Sequence, residues 1–481
     1  MPRLPHRFSL LLCFCSSVGS VSAIDRDALL IRNVNIVDIE ANQVIATRDV
    51  VVVGDRIVGI QAGGTARLPA GGRVVYGSGK FLMPGLWDFH VHLFSAPGEE
   101  DFALPLYIAN GVTGVRDVGA LRTLPEQQRV VADIEAGRRV GPRIVLAGAL
   151  IDGPPGAWPG QMVAGNAAEG RQKVREAKAA GWTTIKAYSL LPEVAYLAIA
   201  DEARRQKLPL FGHVPDAVAV GTAIRVGHRS IEHLGRVTQA CSTAEAQMVA
   251  ANAVALTSAE PMQALMKVMA GHNRTTLATW DERRCADLAR DLARAGVAVT
   301  PTLMVSDFYL FKDPPADDVR LRSVPVAVRA QWKQGDFRRA QMTPEMLTEA
   351  PRSVALDWRV TKLLADSGVM LLAGTDATFA NPILFHGYTL HDELERYVAA
   401  GLTPRHALLT ATVNPGRFLK RTDLDGRISW RRKADLVVLD ANPLQDIRAT
   451  RAIHAVIANG RLFDRDALDA LLRDVQGRAQ R

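Results

Sequence analysis

The sequence predicts an α/β fold: a (β/α)8 TIM barrel carrying a small β-sandwich domain assembled from both chain ends. Three observations predict it. From residue 81 onward, eight short apolar runs alternate with helical stretches rich in Ala, Glu and Arg, and eight strands spread over roughly 300 residues suit a closed barrel better than an open doubly wound sheet. Before them, residues 28–80 hold β-rich runs separated by Gly-containing turns, with no helical period. After them, the strand-like runs A-D-L-V-V-L-D and I-H-A-V-I-A-N-G-R-L-F return and complete the first sheet.

Taken in order, the first residues read as a secretory signal. Arg3 and Arg7 precede and open an apolar run from Phe8 to Val21, and Val21-Ser22-Ala23 forms a small-residue cleavage site. The run is shorter than the ~20 residues of a spanning helix, and Leu12 and Phe14, before Cys13 and Cys15, do not suit a lipoprotein signal. The expectation is a leader at 1–23, a composite β domain at 24–80 and 415–481, and a barrel at 81–414, in a secreted or periplasmic protein. The barrel strands are expected at G-L-W-D-F-H-V-H, T-G-V-R-D-V, P-R-I-V-L-A-G, T-T-I-K-A-Y, L-P-L-F-G-H-V, S-I-E-H-L, A-V-T-P-T-L-M-V and V-M-L-L-A-G-T-D. Two long connections, 235–297 with a helix pair and 306–366 rich in Pro, Arg and Asp, either frame the barrel mouth or are ordinary insertions.

At 481 residues, 48% hydrophobic and 22% charged, the chain can bury a large core. Its formal charge of +8 includes Arg3 and Arg7, and the other basic residues are scattered apart from short clusters such as Arg431-Arg432-Lys433. Nothing resembles the basic stripe that tracks nucleic acid. Neither nucleic acid nor stable membrane insertion is therefore expected, and a homo-oligomer stays open. Once the leader is removed, Cys241 and Cys285 remain; one disulfide is open to them, but sequence does not decide it.

The chemistry sits at strand ends. His90 and His92 share a parity, which also predicts Trp87, Phe89 and Val91 on the opposite face toward the helices. Alone the pair means little, since a packed, hydrogen-bonded histidine is the usual case. The pattern recurs, however: Lys186 ends T-T-I-K-A-Y, His213 ends L-P-L-F-G-H-V, His233 ends S-I-E-H-L and Asp376 ends V-M-L-L-A-G-T-D. Burying such groups among apolar neighbours is costly unless they are paired or bind metal. One metal centre accounts for all of them, and imidazole with carboxylate around open positions favours a catalytic site for zinc or a similar ion.

These motifs are D-F-H-V-H (88–92), G-V-T-G-V-R-D-V-G (111–119), I-K-A-Y (185–188), G-H-V (212–214), I-E-H (231–233), G-T-D (374–376) and the closing A-D-L-V-V-L-D-A-N-P-L. In this order, and over nearly all the chain after the leader, they resemble the amidohydrolase superfamily, in its branch of imidazolonepropionase-related, prolidase-like metal hydrolases. The resemblance implies two divalent ions, expected to be zinc. His90, His92 and Asp376 would hold one and His213 and His233 the other, with Lys186 bridging both as an N-carboxylated lysine.

The implied reaction is hydrolysis of a small-molecule amide or peptide substrate, a dipeptide of the Xaa-Pro type or an N-acyl amino acid, by hydroxide generated between the metals, with Asp376 as catalytic proton shuttle. Cyclic amides, lactones or phosphotriesters could use the same centre, and a non-catalytic metal-binding protein is the reading from another class. Tyr188 either donates to the substrate or packs; His391 either lies near the active site or on a helix surface. Arg116 is expected to pair with Asp117 or a neighbouring carboxylate, and His228 to pack. Asp88 either orients a ligand imidazole or satisfies a nearby donor. The stretch G-P-P-G-A-W-P-G (153–160) reads as a loop over the pocket, with Trp158 either covering it or at an exposed tip. A glycine that relatives often carry before A-D-L is replaced here by Arg431-Arg432-Lys433, which puts a local turn in doubt.

Overall fold

Runs such as Leu29-Leu30-Ile31 and Val50-Val51-Val52-Val53 are rich in residues that pack well on a pleated surface, and in the computed structural model they are strands. The structure describes residues 28–481 apart from 70, 120, 159, 308, 309, 311–313, 335–341, 383 and 425; the leader expected at 1–23 lies outside the described residues. The first strands are β1 (Ala28–Asp38), β2 (Gln43–Val53), β3 (Arg56–Ala62), β4 (Arg73–Tyr76) and β5 (Phe81–Pro84). There follow β6 (Leu86–Val91), β7 (Val112–Asp117), β8 (Arg143–Leu146), β9 (Ala149–Asp152), β10 (Met162–Val163), β11 (Ile185–Ala187), β12 (Leu210–Gly212), β13 (Ser230–Glu232) and β14 (Ala298–Thr300). The last are β15 (Leu436–Leu439), β16 (Ile453–Ala458) and β17 (Arg461–Phe463).

Strands from the two chain ends share one eight-stranded sheet, ordered β17-β16-β15-β5-β1-β2-β3 with β4 beside β1. β15 runs antiparallel to β5, Leu436 opposite Pro84 and Leu439 opposite Phe81, so this sheet extends four residues past the boundary expected at 80. Period-two alternation gives it two apolar faces. Leu436, Val438, Ala455 and Ile457 pack with Leu29, Ile31, Val50 and Val52. Val437, Leu439 and Val456 turn the other way, into the larger core that includes the helices. An antiparallel bridge from Arg56 to Lys433 brings the β3 edge back to the segment entering β15. The turn there is made by Arg431, which adopts φ +67° in place of the expected glycine. The C-terminal segment also holds a helix, Arg465–Ala479, which the strand-like reading did not include. Asp464 caps it by accepting from Ala467 N–H (3.0 Å), and it packs on the helix Glu99–Ala109.

The remaining strands are parallel, in two sheets: β6-β7-β8 and β10-β9-β11-β12-β13-β14. The third expected strand ends at Leu146 as β8, and β9 follows beyond the expected run. β8 pairs with β7 and β9 with β11, and the partner switch falls at Ala147 and Gly148. Gly148 takes φ +88°, and a Cβ there would meet Phe211 at 2.7 Å and the Lys186 backbone nitrogen at 2.9 Å, so only glycine lets the chain pass so close to the lysine. The eighth expected run forms no ladder of its own; it makes single parallel bridges, Leu371 to Val299 and Ala377 to Val91. The seventh stops at Thr300, because Pro301 lacks an N–H and Thr302 turns to φ +49°. There the helix Leu303–Asp307 begins, with its Leu303 and Met304 N–H groups donating to the buried Glu393 carboxylate at 2.8 Å each.

The connection 235–297 holds more helix than the expected pair: Gly235–Ala240, Glu245–Ala255, Pro261–Met269, His272–Ala278 and Glu282–Ala295. Cys241 and Cys285 form a disulfide (S–S 2.10 Å) that ties the end of the first of these helices to the last. No helix among the described residues is long and apolar enough to cross a membrane.

Candidate metal centre

β6 is not a regular strand. Its register against β7 shifts on both sides of Asp88, and an irregularity of this kind resets which face a side chain takes. His90 is fully buried as expected. Phe89 meets a helix, its ring 5.4 Å from that of Phe418 in the helix Val413–Phe418, and it also takes the Arg116 guanidinium at 4.3 Å. Val91 turns to the helix-lined core. Asp88 accepts from Thr375 N–H (3.0 Å) and Thr375 Oγ1 (2.6 Å), so it ties β6 to the turn that presents Asp376. Burial pushes its carboxyl up to about 7.

The turn residues of the site are conformationally demanding. His233 (φ +66°), Asp376 (φ +60°) and Thr302 (φ +49°) all sit in the left-handed region, where non-glycine residues are uncommon and cluster at functional sites. Each must be held by its surroundings.

The imidazoles are oriented from behind. His90 Nδ1 lies 2.8 Å from Glu232 Oε2, His92 Nδ1 3.1 Å from Gly119 O, His213 Nδ1 2.8 Å from Ser189 Oγ and His233 Nδ1 2.7 Å from Thr302 Oγ1. Thr302 Oγ1 gives its own proton to Pro301 O (2.8 Å), so it accepts from His233. In all four rings Nδ1 is engaged and Nε2 is left for the centre, the arrangement that outer partners impose on metal-ligating histidine. His90 Nε2 and His92 Nε2 both meet Asp376 Oδ1, at 3.2 and 3.1 Å. A carboxylate and a carbonyl cannot donate, so in the neutral rings both Nε2 atoms are bare and three lone-pair atoms face one another. A donor set of that kind suits a cation. Ligand atoms of His90, His233 and Asp376 lie within 4.8 Å of one another, and the His233 ring lies 4.7 Å from His90 and 4.9 Å from His213, centre to centre. Burial pushes His233 down to about 3 and His213 well below the ordinary histidine range, so neither ring carries a competing proton at neutral pH.

Lys186 is fully buried and its Nζ has no hydrogen-bond partner. Burial lowers its amine to about 8. An unpartnered ammonium is expensive in such a place, whereas an amine carrying a carboxylate group would supply anionic oxygens to a cation.

Arg116 does not pair with its neighbour Asp117. Its Nη2 donates to Glu232 Oε1 (2.5 Å) and its Nε to Phe89 O (2.8 Å), while Asp117 accepts from Leu93 N–H (2.6 Å). Burial pushes Glu232 up, but Arg116 and His90 outweigh it and hold the carboxyl well below its usual range. Sequence reasoning assigned no role to Glu232, Ser189 or Thr302; only the adjacency of Glu232 and Ser189 to site residues could have flagged them.

Tyr188 lies against His213 (centroids 4.2 Å apart), and its hydroxyl accepts from Trp158 Nε1 (2.7 Å). Trp158 therefore reaches Tyr188 rather than standing free at a tip. His391 is not brought to it. Its ring is buried between Thr450 Oγ1 (2.9 Å) and Asn110 O (3.0 Å), with both nitrogens engaged, where the helix Tyr388–Ala399 meets the segment before β16. That position suits neither substrate contact nor a helix surface. His228 is buried against Tyr196 Oη (2.9 Å) and Gly212 O (3.2 Å), a packing role.

A family model described as the amidohydrolase family matches residues 81–463. Among curated proteins, adenine deaminase 2 of Rhizobium meliloti (strain 1021) is 43% identical over 88 residues, a match that spans 18% of this chain and 14% of that protein. Among solved structures, bottromycin amidohydrolase superposes with a TM-score of 0.70 at 21% identity, covering 95% of this chain and 92% of the other. A Xaa-Pro dipeptidase with methionine bound in its active site gives 0.63 at 20% identity, covering 91% and 100%. At such identities the likeness is one of fold.

Proposed function

The chain belongs to the amidohydrolase family, and on that premise we propose that it is an exported, metal-dependent hydrolase of amide bonds acting on Xaa-Pro dipeptides or N-acyl amino acids. We read the two parallel sheets as arcs of one (β/α)8 barrel, a reading supported by the bridges that join β14 and β6 to residues 371 and 377. The terminal sheet reads as a sandwich domain, curled by the Arg56–Lys433 bridge. Export, to the periplasm or beyond the cell, rests on the leader-like first residues and on the disulfide, which persists in oxidising compartments.

The observation that carries the function is the convergence of bare His90 and His92 Nε2 atoms on one Asp376 oxygen beside a buried, partnerless Lys186 amine. His90, His92 and Asp376 would hold one ion, His213 and His233 a second, and N-carboxylated Lys186 both; zinc is the expected metal. When bound, such ions supply Lewis acidity toward a carbonyl oxygen and make water acidic enough to ionise near neutral pH. The chain's own residues do the rest. Asp376 accepts the proton of the attacking water and returns it to the leaving amine nitrogen, base first and acid second. Tyr188 donates its hydroxyl proton to a substrate oxygen. Glu232, held by Arg116, keeps the His90 ring from turning.

The amide reading is supported by the fold shared with a bottromycin amidohydrolase and a Xaa-Pro dipeptidase. A ring substrate such as a cyclic amide is the second reading, favoured by the segment shared with a protein named adenine deaminase. The test is to purify the metal-replete chain, measure metal per chain, and assay Xaa-Pro dipeptides, other dipeptides, N-acyl amino acids, cyclic amides, lactones and phosphotriesters. We expect two ions and turnover of the first or third class. Two ions without any turnover would make it a metal-binding protein, and less than one ion would remove the site assignment.

A further inference from the structure

The loop after β9 is anchored by a buried carboxylate. The Asp152 carboxylate, fully buried, accepts from the N–H groups of Gly153 (2.8 Å), Ala157 (3.1 Å) and Leu190 (2.7 Å). The loop and the segment following Tyr188 therefore hold one position relative to each other. Gln161 adds a second tie, its Oε1 accepting from Trp158 N–H at 3.2 Å. The indole is thus presented with Nε1 2.7 Å from Tyr188 Oη. Tyr188 is itself part of the centre: its ring lies against His213, and Lys186 Nζ stands 5.3 Å from its centroid. Trp158 is 45% exposed, so the indole stays partly open to solvent.

The direction of this hydrogen bond is chemically determined. An indole nitrogen offers a proton and no lone pair, so the phenol oxygen must accept. Accepting leaves the phenol proton for a different partner and polarises the O–H bond, so that it donates more strongly. Among the described residues no acceptor takes that proton. In the reading above, which this inference deepens and on which it rests, a substrate oxygen is the group to receive it.

We propose that Trp158 is a positioning residue: through its indole N–H it holds Tyr188 as an obligate donor to the carbonyl or carboxylate oxygen of the substrate. A donor-only neighbour excludes the alternative in which the phenol turns its proton into the loop. Trp158 then acts on catalysis without touching the scissile bond.

The test is a double-mutant cycle joined to a spectroscopic one, on the full metal-loaded chain. Trp158→Phe keeps a ring and removes the N–H; it is expected to lower kcat/KM about tenfold, the worth of one hydrogen bond, and less than about twofold in a Tyr188→Phe background. Equal losses in both backgrounds would overturn the proposal. Independently, the Trp158 indole N–H resonance, identified by its loss in Trp158→Phe, is expected to shift in Tyr188→Phe and to shift again when N-acetyl-L-alanine is added to the wild type. A resonance insensitive to Tyr188→Phe overturns the pairing whatever the turnover. A chain that hydrolyses no amide but shows both shifts supports the pairing while the amide reading falls.

Discussion

Glu232 Oε2 lies 2.8 Å from His90 Nδ1, with both side chains fully buried, and the contact turns His90 Nε2 toward Asp376. The Glu232 charge is balanced on its other side by Arg116, whose guanidinium lies over the rings of Phe89 and Phe211. One buried ion pair therefore aims the His90 ring. Glu232→Gln is expected to weaken metal binding about 10–100-fold, as loss of such outer partners does, measured by competition with a chelator. Unchanged affinity would deny Glu232 that role. Arg116→Met, which strands the carboxylate, is expected to cost about 3–5 kcal/mol of stability.

Lys186 offers a test with its own pH signature. Its alanine variant is expected to lose turnover and to regain part of it with a short carboxylic acid such as propionate. Full activity in the variant would sink the bridging role. Burial pulls the metal-free amine down to about 8, and the free amine is the form that takes up carbon dioxide. Its population grows as pH rises through that value, so reactivation of metal-stripped chain by metal at a fixed concentration of dissolved carbon dioxide should accelerate from about pH 7 to about pH 9.

Asp376 has two proposed roles that separate kinetically. Asp376→Asn keeps an oxygen for a cation but removes the base. A fall in kcat of about 10²–10⁴ with metal content retained is the expected result for a proton shuttle. Loss of activity only in proportion to lost metal would leave it a ligand alone.

The Cys241–Cys285 bond closes a loop with a sequence separation of 44, for which chain entropy predicts about 4 kcal/mol of stabilisation. The double serine variant should melt at lower temperature than wild type, and reductant should lower the melting point of wild type only. Identical melting of the two proteins would show that the helices of this connection do not depend on the bond.

Local pattern carried much of this. The period-two runs of β1 and β2, the alternation after residue 81 and the polar residues at strand ends are legible because side-chain direction follows directly from backbone period. Five of the six residues named at those ends are joined, through Asp376 on His90 and His92 and through ring contacts among His90, His213 and His233. Where the pattern failed, a local irregularity intervened. The seventh expected strand stopped at Thr300, ahead of Pro301 and of Thr302 with φ +49°, and the eighth made only single bridges. His391 shows the other failure: its helix was legible, but its partners Thr450 and Asn110 lie 59 and 281 residues away.

By itself the sequence determined which residue types stand at the strand ends, and hence the kind of chemistry this protein can support. The tertiary structure alone decided how those residues are aimed. Glu232 behind His90, Thr302 behind His233, the pairing of Cys241 with Cys285 and the indole of Trp158 on Tyr188 join positions 142, 69, 44 and 30 residues apart. Hydrogen bonds depend on distance and angle in space, and neither is written in local spacing.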